Sequence, residues 1–202
     1  MIEQLPPHSE RRRREWEERY RAGRTGWDRG GPSPALRHWI DNGALAPCRV
    51  VVPGCGRGHE AVAMADLGFD VTAIDLAPTA LASLDEQLRD RGLNARLVEA
   101  DVLEWRPQQP FDAVYEQTSL CALEPAQWPC YADQLCAWLR PGGRLFASFM
   151  QTGQDGGPPF HCDIADMEEL FPATRWAWSE DPPVNIPHSG ELFELAYVLT
   201  RR

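Results

Sequence analysis

The sequence predicts a three-layer α/β fold, a doubly wound and mostly parallel sheet with helices on both faces, preceded by a helical segment. Three observations predict it. Short runs rich in β-branched and apolar residues alternate with helix-forming stretches between residues 50 and 150. The first run, Val50-Val51-Val52, breaks into Pro53-Gly54-Cys55-Gly56-Arg57-Gly58 and then into helix formers. The second run ends on an acid, Asp75, 21 positions after Gly54. Parallel strands joined by helices cross over right-handed.

In chain order, residues 9–22 read as a helix with Ser9 as N-cap and with Trp16 and Tyr20 one turn apart. Gly23 stops it, and residues 25–34 are too rich in glycine and proline for regular structure. That loop carries Trp27, and ordering an indole there suits a lid. Residues 34–43 follow as a short helix with Leu36, Trp39 and Ile40 apolar. Val50–Val52 is the first strand, His59–Leu67 a helix, and Val71–Ile74 the second strand. Pro78–Arg91 is a helix with Leu81, Leu84 and Leu88 on one face, ended by Gly92. Residues 95–99 and 111–115 are the third and fourth strands, the latter running into the polar stretch Glu116–Cys121. A helix over 125–138, a turn at Pro141-Gly142-Gly143 and a fifth strand over 144–150 come next. A stiff loop at 155–160 leads to a short helix over 164–171. Strands near 173–178 and 192–200 pair antiparallel at the edge, with 180–190 as their connection. The length suits one domain, residues 1–202, with 1–45 as the lid segment and 46–202 as the core.

The composition excludes several classes of function. A formal charge of -10 argues against nucleic acid and anionic membrane as partners. The run Arg11–Arg14 is flanked by Glu10, Glu15, Glu17 and Glu18, the pattern of a solvated helix face of mixed charge. No apolar run is long enough to span a bilayer, and no signal-peptide core is present, so a cytoplasmic protein is expected. Six scattered cysteines show neither C-x-x-C pairs nor zinc spacing, which suits reduced thiols and no metal. Cys55 reads as a small packed residue. His161 and His188 are acid–base candidates by chemistry, but both fall in loops, and His188 reads as a surface residue.

The glycine loop with its following acid points to a nucleoside cofactor, with Asp75 on the ribose hydroxyls. Asp101 and Val102, just past the third strand, are placed to hold adenine. The dinucleotide fingerprint needs a third glycine where this chain has His59, which opposes NAD. The pattern resembles the first motif of the Rossmann-like class I methyltransferases that use S-adenosylmethionine (SAM). An NAD-dependent oxidoreductase and a non-catalytic SAM-binding module stand as alternatives. The second is opposed by the substrate-side loops at 25–34 and 155–162.

Four separated patterns add a closer resemblance: the Trp16…Tyr20 helix with Thr25-Gly26-Trp27-Asp28, the Val52-Pro53-Gly54-Cys55-Gly56 loop, Cys130-Tyr131-Ala132-Asp133, and Gly157-Pro158-Pro159-Phe160. Together they resemble the thiopurine S-methyltransferase superfamily, especially its bacterial and plant thiol/halide branch. The resemblance implies methyl transfer from SAM to the sulfur of a small thiol or sulfide, with an aromatic thiol or a halide as further acceptors. It implies that Trp16 and Tyr20 line the SAM pocket and Trp27 closes it. Gly54 would contact the methionine part, Asp75 the ribose, and Asp101 with Val102 the adenine, with Gly56, Gly58 and Leu76 also binding the cofactor. Glu116 and Gln117 would stand beside the sulfonium. Where animal thiopurine enzymes carry Asp-Arg, this chain has Glu116-Gln117, which puts a thiopurine substrate in question. On the acceptor side stand Trp27, Asp28, Thr118, Met150, Pro158 and Phe160. Glu116 and Tyr131 are the candidate catalytic side chains, although a thiol needs no dedicated base and Glu116 could simply order its loop. A monomer or weak homodimer is expected.

Overall fold

The computed structural model describes residues 6–188 and 190–202. Helix α1 (Pro7–Arg21) begins two residues before Ser9: Pro6 stands at the cap without a side-chain bond, and Ser9 is buried in the first turn. Proline starts the helix because its fixed φ suits that position and its missing N–H would have no partner there. Helix α2 (Pro34–Asp41) is capped by Ser33, whose Oγ accepts from the Ala35 N–H at 3.3 Å.

Strand β1 (Arg49–Pro53), helix α3 (His59–Asp66), strand β2 (Asp70–Asp75), helix α4 (Pro78–Asp90) and strand β3 (Arg96–Glu99) form the first half of the sheet. Strand β4 (Phe111–Gln117), helix α5 (Trp128–Trp138) and strand β5 (Leu139–Gln151) continue it on the other side of β1. Helix α6 (Ile164–Leu170) and strands β6 (Trp176–Trp178), β7 (Val184–Pro187) and β8 (Phe193–Arg201) complete the chain. The sheet order is β3-β2-β1-β4-β5-β8-β6, with β7 also paired to β8. The first five strands run parallel, and β8 runs antiparallel to β5, β6 and β7.

Alternation along β4 divides the core. Val114 lies in one cluster with Tyr131, Leu135 and Trp138 of α5 and Met167 of α6. Ala113 and Tyr115 face Leu36, Trp39, Met64 and Leu84, the layer of α2, α3 and α4. Two expectations are corrected here. Pro141-Gly142-Gly143 lies inside β5, where the register against β4 jumps from Phe111↔Leu139 to Ala113↔Arg144, so it is a kink in a strand and not a turn before one. The stretch 180–190 is more than a connection, because it contains β7; its residue 189 lies outside the described residues.

Candidate active site

A cleft of about 440 Å³ opens beyond the C-terminal ends of β1, β2, β4 and β5, where the order of the parallel sheet reverses around β1. The glycine loop and strand ends contribute Gly54, Asp75, Leu76, Ala100, Asp101 and Val102. Helix α1 and the loop after it contribute Arg12, Trp16, Arg19, Tyr20, Gly26 and Trp27. The far end is walled by Thr118, Cys121, Met150, Pro158, His188 and Leu192.

The loop geometry follows from its glycines. Gly54 has φ +55°, and a Cβ there would sit 2.0 Å from Ser119 Oγ, which itself donates to the Pro53 carbonyl at 2.8 Å. Gly58 caps α3 with φ +76°, and a Cβ there would strike Leu84 at 2.4 Å. Asp75 is 7% exposed and takes the Gly56 and Ala77 N–H groups at 2.9 and 2.8 Å. Burial pushes its carboxyl up to about 6 despite those bonds.

The N-terminal segment is tied down at three points. Glu17 accepts from the Thr79 N–H at 2.9 Å and Oγ1 at 2.7 Å, docking α1 on the N-terminus of α4. Arg12 pairs with Asp101, their side chains 11% and 1% exposed, and Arg13 Nε reaches Glu99 at 2.7 Å. The solvated reading of the arginine run is therefore corrected for Arg12, which faces the cleft. Asp28 meets His59 Nε2 at 2.8 Å, Arg57 Nε at 3.0 Å and the Gly30 N–H at 2.8 Å. Partial burial works against its ionisation, yet Gly30, His59 and Arg57 hold its carboxyl below the ordinary value. His59, standing where a dinucleotide fold would have its third glycine, thus fastens the loop after α1 to α3. Trp27 packs edge-on against Trp16 and Tyr20, with ring centroids at 5.4 and 5.7 Å.

A sequence profile of the family described as Thiopurine S-methyltransferase (TPMT) matches residues 11–186. The chain belongs to that family. It is 33% identical to the probable thiol methyltransferase 2 of Arabidopsis thaliana over 160 residues, covering 77% of this chain and 70% of that protein. It is 34% identical to thiocyanate methyltransferase 1 of the same plant, again over 77% and 70% of the two chains. Among solved structures, the Burkholderia thailandensis 1,6-didemethyltoxoflavin-N1-methyltransferase, with S-adenosylhomocysteine bound, superposes with a TM-score of 0.74 at 22% identity. That match covers 100% of this chain and 92% of the other, and it speaks for the fold. A chain from work on conversion of a disulfide bond into a thioacetal group during echinomycin biosynthesis gives 0.72 at 25% identity, over 87% and 85% of the chains.

The family member is a SAM-dependent S-methyltransferase, and its residues fit that cofactor. The cleft lies in the size range of small-molecule sites, with the buried Asp75 at its floor and an aromatic trio above a glycine loop. Of the residues expected to serve the cofactor, Trp16, Tyr20, Trp27, Gly54, Asp75, Leu76, Asp101 and Val102 line the cleft. Gly56 and Gln117 line a smaller recess next to it, as does Asp28 from the acceptor side. Gly58 instead packs on Leu84. Thr118, Met150 and Pro158 stand on the cleft wall, and Phe160 packs against the core beneath.

The two candidate catalytic residues lie behind the wall. Glu116 is 1% exposed, and its Oε1 takes the N–H groups of Ser119 and Leu120 at 3.1 and 2.7 Å. Burial, reinforced by the nearby Glu194 charge, pushes it up to about 8 against those bonds. Tyr131 on α5 is fully buried, packs against Trp138, and has no hydrogen-bond partner for its hydroxyl among the described residues. Thr118, with φ 61°, is the single non-glycine residue with positive φ among those described. His188 is corrected: its side chain is 6% exposed and lines the cleft. Sequence reasoning also missed Arg12 and Cys121. Burial raises the Cys121 thiol well above its ordinary range, as it does Cys55, so neither is poised as a thiolate.

Proposed function

We propose that the acceptor is a small thiol or sulfide bound at the Met150–Pro158–Leu192 end of the cleft, with soft anions such as a halide as secondary acceptors. The observation that carries this is the chemistry of that wall: thioether, proline and leucine surface, with Cys121 and His188 as its ionisable groups. Such a wall favours a polarisable, weakly hydrated nucleophile over a hydroxyl or amine that needs several hydrogen bonds. The Arabidopsis relatives, named for thiol and thiocyanate methylation, support the same class.

Bound SAM supplies an electrophilic methyl group on a sulfonium sulfur. Trp16, Tyr20 and Trp27 close over it and exclude water, while Gly54 lets the loop backbone approach. Asp75 receives the ribose, and Asp101 with Val102 the adenine, Asp101 being held in place by Arg12. Gly56, Gln117 and Asp28 border the methionine end. Glu116 acts as a positioning residue: it fixes the turn that sets Thr118 and Ser119 against the cleft. Tyr131 supports that turn from behind.

We further infer that residues up to about 45 work as a lid on a single core, and that the protein is a cytoplasmic monomer or weak homodimer. Six free cysteines support a reducing compartment. No described helix is long and apolar enough to cross a membrane. Leu67 is the one large apolar side chain exposed among the described residues, which supports a weak self-interface at most. Methyl transfer from labelled SAM to hydrogen sulfide, an alkyl thiol, an aromatic thiol, a thiopurine and iodide, set against oxygen and nitrogen acceptors at equal concentration, tests the assignment. Turnover of the sulfur acceptors is expected; transfer to oxygen or nitrogen acceptors alone would overturn it.

A further inference from the structure

The β7–β8 hairpin pairs Ile186 with Glu194 and Pro187 with Phe193. His188, one residue past β7, is thereby returned beside Glu194, and its N–H bonds the Leu192 carbonyl at 2.8 Å, closing the hairpin mouth. His188 Nε2 lies 3.4 Å from Glu194 Oε1, with the two side chains 6% and 0% exposed. Neither atom has a hydrogen-bond partner among the described residues, and the 3.4 Å between them is an ion-pair distance. A buried imidazole nitrogen and a buried carboxylate oxygen therefore face each other at the acceptor end of the cleft, where the ring forms part of the wall with Met150 and Leu192.

The carboxylate is held from behind. Glu194 Oε2 accepts from Gln117 Nε2 at 3.1 Å and lies 3.7 Å from Arg29 Nη2, whose Nη1 donates to the Pro187 carbonyl at 2.7 Å. The other titratable groups that feel Glu194 are Glu60 on α3, Tyr115 and Glu116 on β4, and Cys121. A carboxylate behind an imidazole fixes its tautomer and stabilises the imidazolium that forms on proton uptake.

We propose that His188, backed by Glu194, is the base that takes the proton of a neutral thiol acceptor. The inference rests on the thiol reading of the acceptor site. With Nε2 turned to Glu194, Nδ1 receives the proton as the S–H bond breaks. The electron pair stays on the acceptor sulfur, which forms the new C–S bond. The C–S bond of the sulfonium breaks at the same time, and its pair returns to the departing sulfur. A methyl thioether and S-adenosylhomocysteine result, and the imidazolium releases its proton to water.

An anion needs no such help, so the signature is the ratio of two acceptors. kcat/KM for an alkyl thiol and for iodide is measured at saturating SAM from pH 6.5 to 9.5, for the unmodified protein, H188Q and E194Q. Calorimetric binding of S-adenosylhomocysteine reports whether each variant is folded. The thiol-to-iodide ratio is expected to fall about 30-fold or more at pH 7 in H188Q, less in E194Q, and to recover as pH passes the thiol's own pKa. If H188Q fails to bind S-adenosylhomocysteine, E194Q carries the same ratio test. A ratio that does not move, or thiol and iodide rates that fall by one factor at every pH, would overturn the base. If the unmodified protein methylates no thiol, the acceptor assignment itself fails and takes the inference with it.

Discussion

Replacing Glu116 by glutamine is expected to change how stability depends on pH. The side chain is 1% exposed, one oxygen takes two backbone N–H groups and the other has no hydrogen-bond partner among the described residues. Burial is the largest influence and pushes the carboxyl up to about 8 in the folded protein. In the unfolded chain it titrates near its ordinary value of about 4.3. Between those two values the folded state holds a proton that the unfolded state has lost. This group's stabilising contribution is therefore full below about pH 4.3, and it drains away as pH rises to about 8. The slope is about 1.4 kcal/mol per pH unit, on the order of 4 kcal/mol between pH 5 and 8, against a total of roughly 5–15 for a domain. At pH 5 the buried group is a neutral acid that glutamine matches, so the two proteins differ by about 1 kcal/mol or less. At pH 8 the E116Q protein is the more stable by on the order of 3 kcal/mol. Urea denaturation without cofactor, repeated from pH 5 to 9, reads the difference directly. Asp75, pushed up to about 6 by burial, titrates in both proteins and cancels. A stability difference that stays constant across that range would refute the reasoning.

Other substitutions probe the cleft. G54A places a methyl 2.0 Å from Ser119 Oγ at a φ of +55°, and is expected to cost about 2–3 kcal/mol and to weaken S-adenosylhomocysteine binding in calorimetry. G68A, at φ +86° with nothing within 4 Å, isolates the backbone strain and is expected to cost about 1 kcal/mol with binding intact. R12A leaves the Asp101 carboxylate with the Leu103 N–H alone at 3.0 Å, so a loss of about 3 kcal/mol in thermal or urea denaturation is expected, together with weaker cofactor binding. T118G relieves the positive φ of 61° and is expected to raise stability by about 1 kcal/mol in urea denaturation, while kcat falls because the cleft wall loses the threonine side chain.

The glycine loop and the acid that line the cleft were readable because their signals are local. A β-branched run, a glycine loop, a helix and an acid at the next strand end all lie within 26 residues, Val50 to Asp75. The parallel strands and their helices were readable for the same reason, each carrying its own apolar period. What escaped depends on chain-distant register. Arg12 looks like one more solvated arginine until α1 docks, and only then does it meet Asp101, 89 positions away. His188 looks like loop punctuation until β7 pairs with β8 and sets it against Glu194. No spacing announces either pair. The kink at Pro141–Gly143 was misplaced because glycine and proline mark a break in backbone conformation without saying whether the strand resumes.

The place of β8 in the sheet bears on how the protein is made. Every parallel strand whose end borders the cleft is synthesised by residue 151, and β5 is then the bare edge of a parallel sheet. Its residues Phe146, Ala147, Phe149 and Met150 are all buried in the finished fold, so the unfinished edge is long and apolar, a template for pairing with another chain. Some 40 residues later β8 pairs with β5 along eight positions from Arg144 to Gln151, and the same strand delivers Glu194. One late event thus covers that edge and brings His188 and Leu192 to the cleft wall. A chain that stalls before residue 193 would keep that apolar edge open and would lack Glu194.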